Sequence, residues 1–505
     1  MMAASALGQR PLAVFRVDAG PAIGGGHVMR CLTLAEALSK AGWRCLFATT
    51  SETEDTVPGL ARSGFARLPM PADPTEQPAA LQRELPDGPD LLVVDHYGLD
   101  VAFESACRAW ATRILVIDDL ADRPHDCDIL IDQTYGRAAE DYTSLVPERC
   151  EVLAGAQYAL LRPAFAAARP EALARREAQQ GRIDRILVSM GTVDPRNATG
   201  LVLEGVREAG LDATVDVVLG SGAPHMEAVR EQTEAMTSAR LLTDVADIAT
   251  LMSNADLAIG AGGTTSWERC CLGLPTLAVT IADNQVTVLE ELARSGAVRP
   301  LGDLCDLSAS AVAATLHELT SGPAKVKAMS TAAQAVCDGR GPVRLLVTLA
   351  GEITTHEGAR IRLRTMESRD EATVLEWQCR PGMRRHFRNP EPPDPATHQM
   401  WMRDRLKDPD CLPTIVQCDG RSCGLLRLDK RGNRAEISIL VAPEFWGRGI
   451  SVAALSLARG ALPGYTLVAQ IDPRNAASLK AFARAGFRPD HREGWHYAPP
   501  VAEYV

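Results

Sequence analysis

From residue 11 to about residue 350, short aliphatic runs alternate with alanine- and leucine-rich stretches. No other feature limits the fold as much. The runs are LAVFRV (12–17), LLVVD (91–95), RILVID (113–118), RILVSM (185–190), TVDVVL (214–219), DLAIG (256–260) and PTLAVT (275–280). Between them the apolar residues recur at helical spacing. Val28, Leu32, Ala35 and Leu38 fall on one face of a 3.6-residue repeat. Strands alternating with helices predict a parallel, doubly wound sheet. The region is too long for one such sheet. A charged piece, RPEALARREAQQGRIDR (169–185), divides the runs into two groups, so two α/β halves facing a cleft are expected. In such folds ligands sit at the carboxyl ends of the strands.

Near residue 350 the character changes. AGEITTHEGAR (350–360) reads as a polar linker, and a third unit follows it. A chain of 505 residues is in any case too long for one hydrophobic core. The formal net charge of −11 argues against nucleic acid or an anionic membrane as partner, since both need a basic face. The 13 cysteines show no C-x-x-C pair, so reduced thiols in a cytoplasm are expected, without a zinc site. No apolar run reaches about 18 residues. The opening MMAASALGQR lacks the charged and apolar regions of a secretory signal.

DAGPAIGGGHVMRC (18–31) joins the first strand to the first helix. Three glycines let the backbone approach a ligand. His27 then falls in the first helical turn, where the helix dipole disfavours imidazolium and a neutral imidazole can act as a base. Two readings stay open from the residues alone: a local cap beside a phosphate loop, or a histidine facing the reacting atom. AIGAGGTTSWERC (258–270) again runs strand, glycine loop, helix. Gly262, Gly263, Thr264 and Thr265 suit a pyrophosphate at a helix N-terminus, and Glu268 suits ribose hydroxyls. The alternative is a capping box from Thr265 to Glu268. Asp95, His96 and Tyr97 follow a strand and suit sugar binding or support of His27. Asn284 and Gln285 lie at another strand exit, as do Asp118 and Asp119. Gly191 and Asp194 lie in a further loop.

These motifs, with VVDHYGLD (93–100), IDDLADRPHDCDILIDQ (117–133) and LVSMGTVDPRNAT (187–199), resemble the family that hydrolyses UDP-2,4-diacetamido-2,4,6-trideoxy-β-L-altropyranose in pseudaminic acid biosynthesis. The opening motif falls here on Arg16, Asp18, Ile23, Gly24, Gly26, His27, Arg30 and Cys31. The resemblance covers residues 12 to about 348. It implies a GT-B fold and His27 as the base that activates water for inverting attack at the anomeric carbon. It also implies UDP at Gly262–Thr265 and Glu268, substrate contacts from Arg16, Asp18, Gly26, Tyr97, Asn284 and Gln285, and no metal.

In the third unit, ILVAPEFWGRGISVAALSLA (439–458) and IDPRNAASLKAFARAGFRPD (471–490) resemble the pantetheine-binding segments of GNAT acetyltransferases. Val441, Trp446, Gly447, Arg448, Gly449, Ile450, Asn475 and Ser478 are the acetyl-CoA contacts this implies. LEWQCRPGMRRHF (375–387) and HQMWMRDRL (398–406) are similar to acetyltransferases acting on the 4-amino group of UDP-linked amino sugars. Glu436 is a candidate base acting through water, and His398 a candidate substrate contact. Glu444 replaces the usual basic or amide residue of the glycine loop. Phe482 stands where a tyrosine often protonates the thiolate.

The expectation is an α/β protein: a GT-B-like pair of Rossmann-like domains (1–170 and 171–350) followed by a C-terminal GNAT acyltransferase domain (351–505). It would be a bifunctional cytoplasmic enzyme of UDP-linked amino sugars and acetyl-CoA. Its rivals are a GT-B glycosyltransferase with another acceptor and a non-catalytic nucleotide-sugar-binding regulator.

Overall fold

The computed structural model describes residues 10–20, 24–490 and 494–497. Ile23 of the opening motif lies outside them. By its contacts the chain forms two compact units, residues 1–116 with 342–505, and residues 117–341.

In the first unit, strands β1 (Leu12–Val17), β2 (Arg44–Thr49), β3 (Ala66–Pro69), β4 (Leu91–Asp95) and β5 (Ile114–Ile117) lie in the order β3-β2-β1-β4-β5. Their pairings are parallel, with Val17 beside Asp95. The continuous apolar runs are explained by burial: all of β4 and β5 is inaccessible. The helix Gly26–Ala41 follows β1 and buries Val28, Leu32, Ala35 and Leu38, the face expected from their spacing. It ends at Gly42 in the left-handed region (φ 104°), where glycine avoids a Cβ penalty.

The second unit holds β6 (Ile129–Asp132) and β7 (Glu151–Ala154), which pair in parallel. It also holds a six-stranded parallel sheet: β8 (Arg185–Ser189), β9 (Thr214–Leu219), β10 (Ala239–Thr243), β11 (Leu257–Ala261), β12 (Thr276–Thr280) and β13 (Val298–Asp303). The order β10-β9-β8-β11-β12-β13 reverses direction between β8 and β11, the switch point at which doubly wound sheets bind ligands. Two apolar cores cover its faces, one including Val188, Val217 and Ile259, the other Leu187, Trp267 and Ala278.

The acetyltransferase-like region is one eight-stranded sheet: β14 (Glu352–Thr354), β15 (Arg360–Thr365), β16 (Cys411–Cys418), β17 (Arg421–Arg431), β18 (Arg434–Val441), β19 (Thr466–Ala469), β20 (Arg488–Asp490) and β21 (Gly494–Tyr497), ordered β14-β15-β16-β17-β18-β19-β21-β20. The expected linker at 350–360 is corrected here. Glu352–Thr354 pairs antiparallel with Arg360–Arg362, and the polar turn between them closes a hairpin, which accounts for Thr355 and Gly358. β18 and β19 are parallel but pair only over Arg434–Glu436. Beyond Glu436 they diverge, and Ile437–Val441 has no partner strand on that side among the described residues.

Within the same unit, the chain just before β19 touches the end of the helix Gly26–Ala41. Gly464 N donates to Ala41 O at 2.9 Å. A Cβ on Gly42 would lie 2.3 Å from the Gly464 backbone. Gly42→Ala therefore meets both a forbidden contact and an unfavourable φ. We expect a loss of about 1–3 kcal/mol, read as a lower midpoint in urea unfolding; an unchanged midpoint would show that the seam yields freely.

Candidate functional site

At the carboxyl end of β1 and β4, three side chains of the first unit form a buried ionic group. Asp95 is fully buried. Its Oδ1 takes His27 Nδ1 at 2.5 Å and Arg30 Nη2 at 2.7 Å; its Oδ2 takes Arg30 Nε at 2.6 Å. Burial alone would raise the Asp95 carboxyl, but Arg30 and His27 overcome it and hold the group well below the usual carboxylate range. An ionised carboxylate only accepts, so it fixes the proton on Nδ1 and leaves Nε2 as the basic nitrogen. Among the described residues Nε2 has no hydrogen-bond partner. Tyr97 meets the imidazole edge-on, with ring centroids 4.5 Å apart.

Arg16 and Asp18 pair with each other at the exit of β1. Arg16 is 1% exposed and donates to Gln77 Oε1 (2.9 Å) and Asp18 Oδ2 (2.6 Å). Asp18 also accepts from Thr50 N (2.8 Å), Thr50 Oγ1 (3.0 Å) and Thr53 Oγ1 (3.2 Å), with His96 Nε2 3.4 Å away. The pair ties the exit of β1 to the loop after β2, and neither side chain is turned to solvent. Gly26 opens the helix and places His27 in its first turn.

In the second unit the loop after β11 lies at the switch point. Thr264 precedes the helix Thr265–Cys271 without a side-chain cap, which overturns the capping-box alternative. Glu268 instead faces Arg162 Nη2 at 3.3 Å, and burial pushes its carboxyl up, with Arg162 only partly offsetting. Gln285 belongs to the loop itself: its Oε1 accepts from Gly262 N and Ile281 N, both at 3.2 Å. Asn284 lies in the short turn Asp283–Gln285. Asp194 caps the helix Ala198–Ala209, accepting from Ala198 N (2.9 Å) and Thr199 N (2.8 Å); Gly191 precedes it at φ 109°. Asp118 is held by Tyr142 OH and Ala121 N, each at 2.8 Å. No group of three or more metal-ligating side chains is gathered among the described residues.

The residue that sequence reasoning passed over here is Arg269. It is 2% exposed, and it donates to Ala261 O at 2.6 Å, Ser266 Oγ at 3.1 Å and Thr265 Oγ1 at 3.3 Å. Burial pushes its guanidinium down to about 10. Its signal was available: an arginine one turn after Thr265, followed directly by the apolar run CCLGLP.

In the third region, Gly447 (φ 84°) and Gly449 (φ 77°) form the turn before the helix Ile450–Ala461. A Cβ on Gly447 would meet no atom within 4 Å, so its backbone is approachable. Trp446 Nε1 donates to Val441 O at 2.6 Å, and Arg448 stands over the Phe445 ring. Asn475 caps the helix Ala476–Arg484 by accepting from Ser478 N at 3.1 Å, as expected. Glu444 is paired with Arg380 Nη1 at 3.1 Å. Glu436, the last paired residue before the strands diverge, accepts from Arg388 Nη2 at 2.8 Å. His398 lies in the helix Pro395–Lys407 and is 2% exposed. Its Nε2 is 3.2 Å from Glu371 O and its ring stacks on Trp401. Phe482 is 3% exposed and packs edge-on against Phe487.

Residues 360–488 match the family model for an acetyltransferase (GNAT) domain. The C-terminal region is a GNAT domain. The rest of the chain is similar to the UDP-2,4-diacetamido-2,4,6-trideoxy-β-L-altropyranose hydrolase of Campylobacter jejuni, 28% identical over 286 residues, 56% of this chain and 96% of that protein. It is also similar to the spore coat polysaccharide biosynthesis protein SpsG of Bacillus subtilis, 28% identical over 290 residues, 56% of this chain and 82% of that one. An uncharacterized protein of Methanocaldococcus jannaschii is 22% identical over 483 residues, 93% of this chain and 95% of its own. It spans the hydrolase-like part and the GNAT domain alike. The N-terminal region has the GT-B fold: the MurG structure of Acinetobacter baumannii superposes with a TM-score of 0.51 at 14% identity, over 67% of this chain and 98% of that one. No helix among the described residues is long and apolar enough to cross a membrane.

Proposed function

We propose a bifunctional enzyme of UDP-linked amino sugars. The GNAT domain acetylates the 4-amino group of UDP-4-amino-4,6-dideoxy-N-acetyl-β-L-altrosamine with acetyl-CoA. The GT-B part releases UDP from UDP-2,4-diacetamido-2,4,6-trideoxy-β-L-altropyranose by water attack, with inversion at the anomeric carbon. The observation that carries the second activity is the His27–Asp95 contact. A carboxylate on Nδ1 makes Nε2 a base able to take a proton from water. As water adds to the anomeric carbon, the bond to the UDP oxygen breaks. The amides and hydroxyls of Gly262–Thr265, at a helix N-terminus, stabilise the departing pyrophosphate, and Glu268 takes ribose hydroxyls. Tyr97 and Gly26 are assigned to the sugar; the Asn284 side chain lies outside the described residues. Arg16 and Asp18 position the loop that leads to His27, and Gln285 positions the loop at Gly262.

In the GNAT domain, the loop amides of Trp446–Ile450 take the acetyl-CoA pyrophosphate. The freed edge Ile437–Val441 suits an extended amide-bearing arm, with Asn475 and Ser478 at the next helix start. The positive φ of Gly447 and the open space beside it support this fit. UDP-linked amino sugars and acetyl-CoA are thus the ligands, and a soluble cytoplasmic setting suits both.

The deciding experiment is mass spectrometry and anomeric NMR of products formed from the UDP-4-amino sugar and acetyl-CoA with no other acceptor. Free diacetamido sugar of inverted configuration with stoichiometric UDP is expected. Intact UDP-sugar would instead point to a transferase that needs a different acceptor. Arg269→Ala tests the nucleotide loop separately. It leaves Ala261 O buried and unpaired, at about 1–3 kcal/mol, and UDP affinity measured by calorimetry should fall at least about tenfold. Unchanged affinity would remove the loop from the nucleotide site.

A further inference from the structure

We propose that His386 carries the proton of acetyl transfer, with Asp472 as its positioning residue. This rests on the acetyltransferase reading above. The GNAT domain has no hydroxyl at Phe482, which is buried against Phe487, and Glu436 is engaged by Arg388. An imidazole, His386, precedes that Arg388 by two residues. Because β18 and β19 run parallel and part after Glu436 and Val468, the residues that continue β19 flank the opening. Gln470 and Asp472 are on that continuation. The segment after the helix Glu371–Cys379 reaches it twice. His386 Nδ1 is 3.0 Å from Asp472 Oδ2, and Arg388 Nη2 donates to Gln470 Oε1 at 2.7 Å and to Glu436 Oε1 at 2.8 Å.

Asp472 also accepts from Arg474 N (2.9 Å), Nε (3.0 Å) and Nη2 (2.9 Å). Its bond to Arg474, then that to His386, keeps its carboxyl well below the usual range. An acceptor-only partner holds the imidazole proton on Nδ1 and leaves Nε2 basic. The His386 side chain is 19% exposed, and Nε2 has no hydrogen-bond partner among the described residues. The charged groups recorded around the pair are Asp472, Arg474, Arg388 and Glu436.

The step balances. The amine nitrogen attacks the thioester carbonyl carbon; the C–N bond forms and the C–S bond breaks. His386 Nε2 takes the proton leaving nitrogen and returns a proton to the CoA thiolate, so amine and acetyl-CoA give amide and CoA thiol.

The test uses the full chain, acetyl-CoA and the UDP-4-amino sugar, with thiol release as the signal. His386→Ala should lower kcat at least about 100-fold with KM changed less than about threefold, and added imidazole should restore part of the rate. Asp472→Asn should lower kcat about tenfold with KM held. Calorimetric acetyl-CoA affinity near the wild-type value separates lost chemistry from lost folding. Wild-type turnover with an undiminished His386→Ala rate overturns this proposal alone. A lowered rate with no imidazole rescue in the presence of normal acetyl-CoA affinity also overturns it, as a structural role would suffice. No transfer by the wild type overturns the acetyltransferase reading and this proposal with it.

Discussion

Replacing His27 by glutamine is expected to lower UDP release at least about 100-fold while acetyl transfer by the same chain continues. The magnitude is that of losing a general base. Glutamine keeps a hydrogen-bonding side chain near Asp95 but offers no nitrogen that accepts a proton. The effect should fall on kcat, because the base acts in the transition state and not in holding the substrate. Asp95→Asn is the companion. It frees Nδ1 from its fixed proton and so lets the histidine adopt the wrong tautomer, and its UDP release should fall nearly as far. Steady-state UDP release from the diacetamido UDP-sugar reads both. Normal release by His27→Gln would remove His27 from the reaction.

The second large effect is on stability. Asp95→Ala leaves the Arg30 guanidinium, 5% exposed, without its bidentate partner. Stripping one member from a buried ion pair costs about 3–5 kcal/mol, so the urea midpoint of the unit containing β1 and β4 should drop sharply. Met at Arg30 in the same background should recover part of the loss by removing the stranded charge. The wild-type pair carries a pH signature. Its carboxyl is more acidic folded than unfolded, so its contribution is complete above about pH 4 and drains as the pH falls from there. An acid limb of stability that Asp95→Ala leaves unaltered would show that the pair contributes little.

Much of the architecture was legible because buried parallel strands are written as unbroken aliphatic runs. LLVVD and RILVSM could hardly be anything else, and helix Gly26–Ala41 followed from the spacing of Val28, Leu32, Ala35 and Leu38. The segment 350–360 misled because a tight hairpin and a linker share the same residues. Only pairing with Arg360–Arg362, a matter of register, distinguishes them. Side chains were harder. His27 was found from its place after a glycine loop, yet its dependence on Asp95 and Arg30 required a contact across 65 residues and more. Arg16 and Asp18 share a motif with His27, but their ties to Gln77, Thr50 and Thr53 are long-range contacts that the motif does not spell out. The proline-rich stretch before HQMW hides a helix start, since Pro395 occupies the first helical turn, where proline is well tolerated. His386 lies inside LEWQCRPGMRRHF, but nothing in that segment alone singles out the histidine.

The helix Gly26–Ala41, with His27 in its first turn, is a rod about 24 Å long, and its far end touches Gly464, just before β19 of the acetyltransferase region. From Gly464 the chain runs into β19 and on to Asp472. The end of the helix and the approach to β19 therefore touch backbone to backbone at Ala41, Gly42 and Gly464. Cutting the chain at residue 350 to obtain the hydrolase-like part alone would remove the abutment under that rod, so the excised piece is a different mechanical object from the same residues in the whole chain.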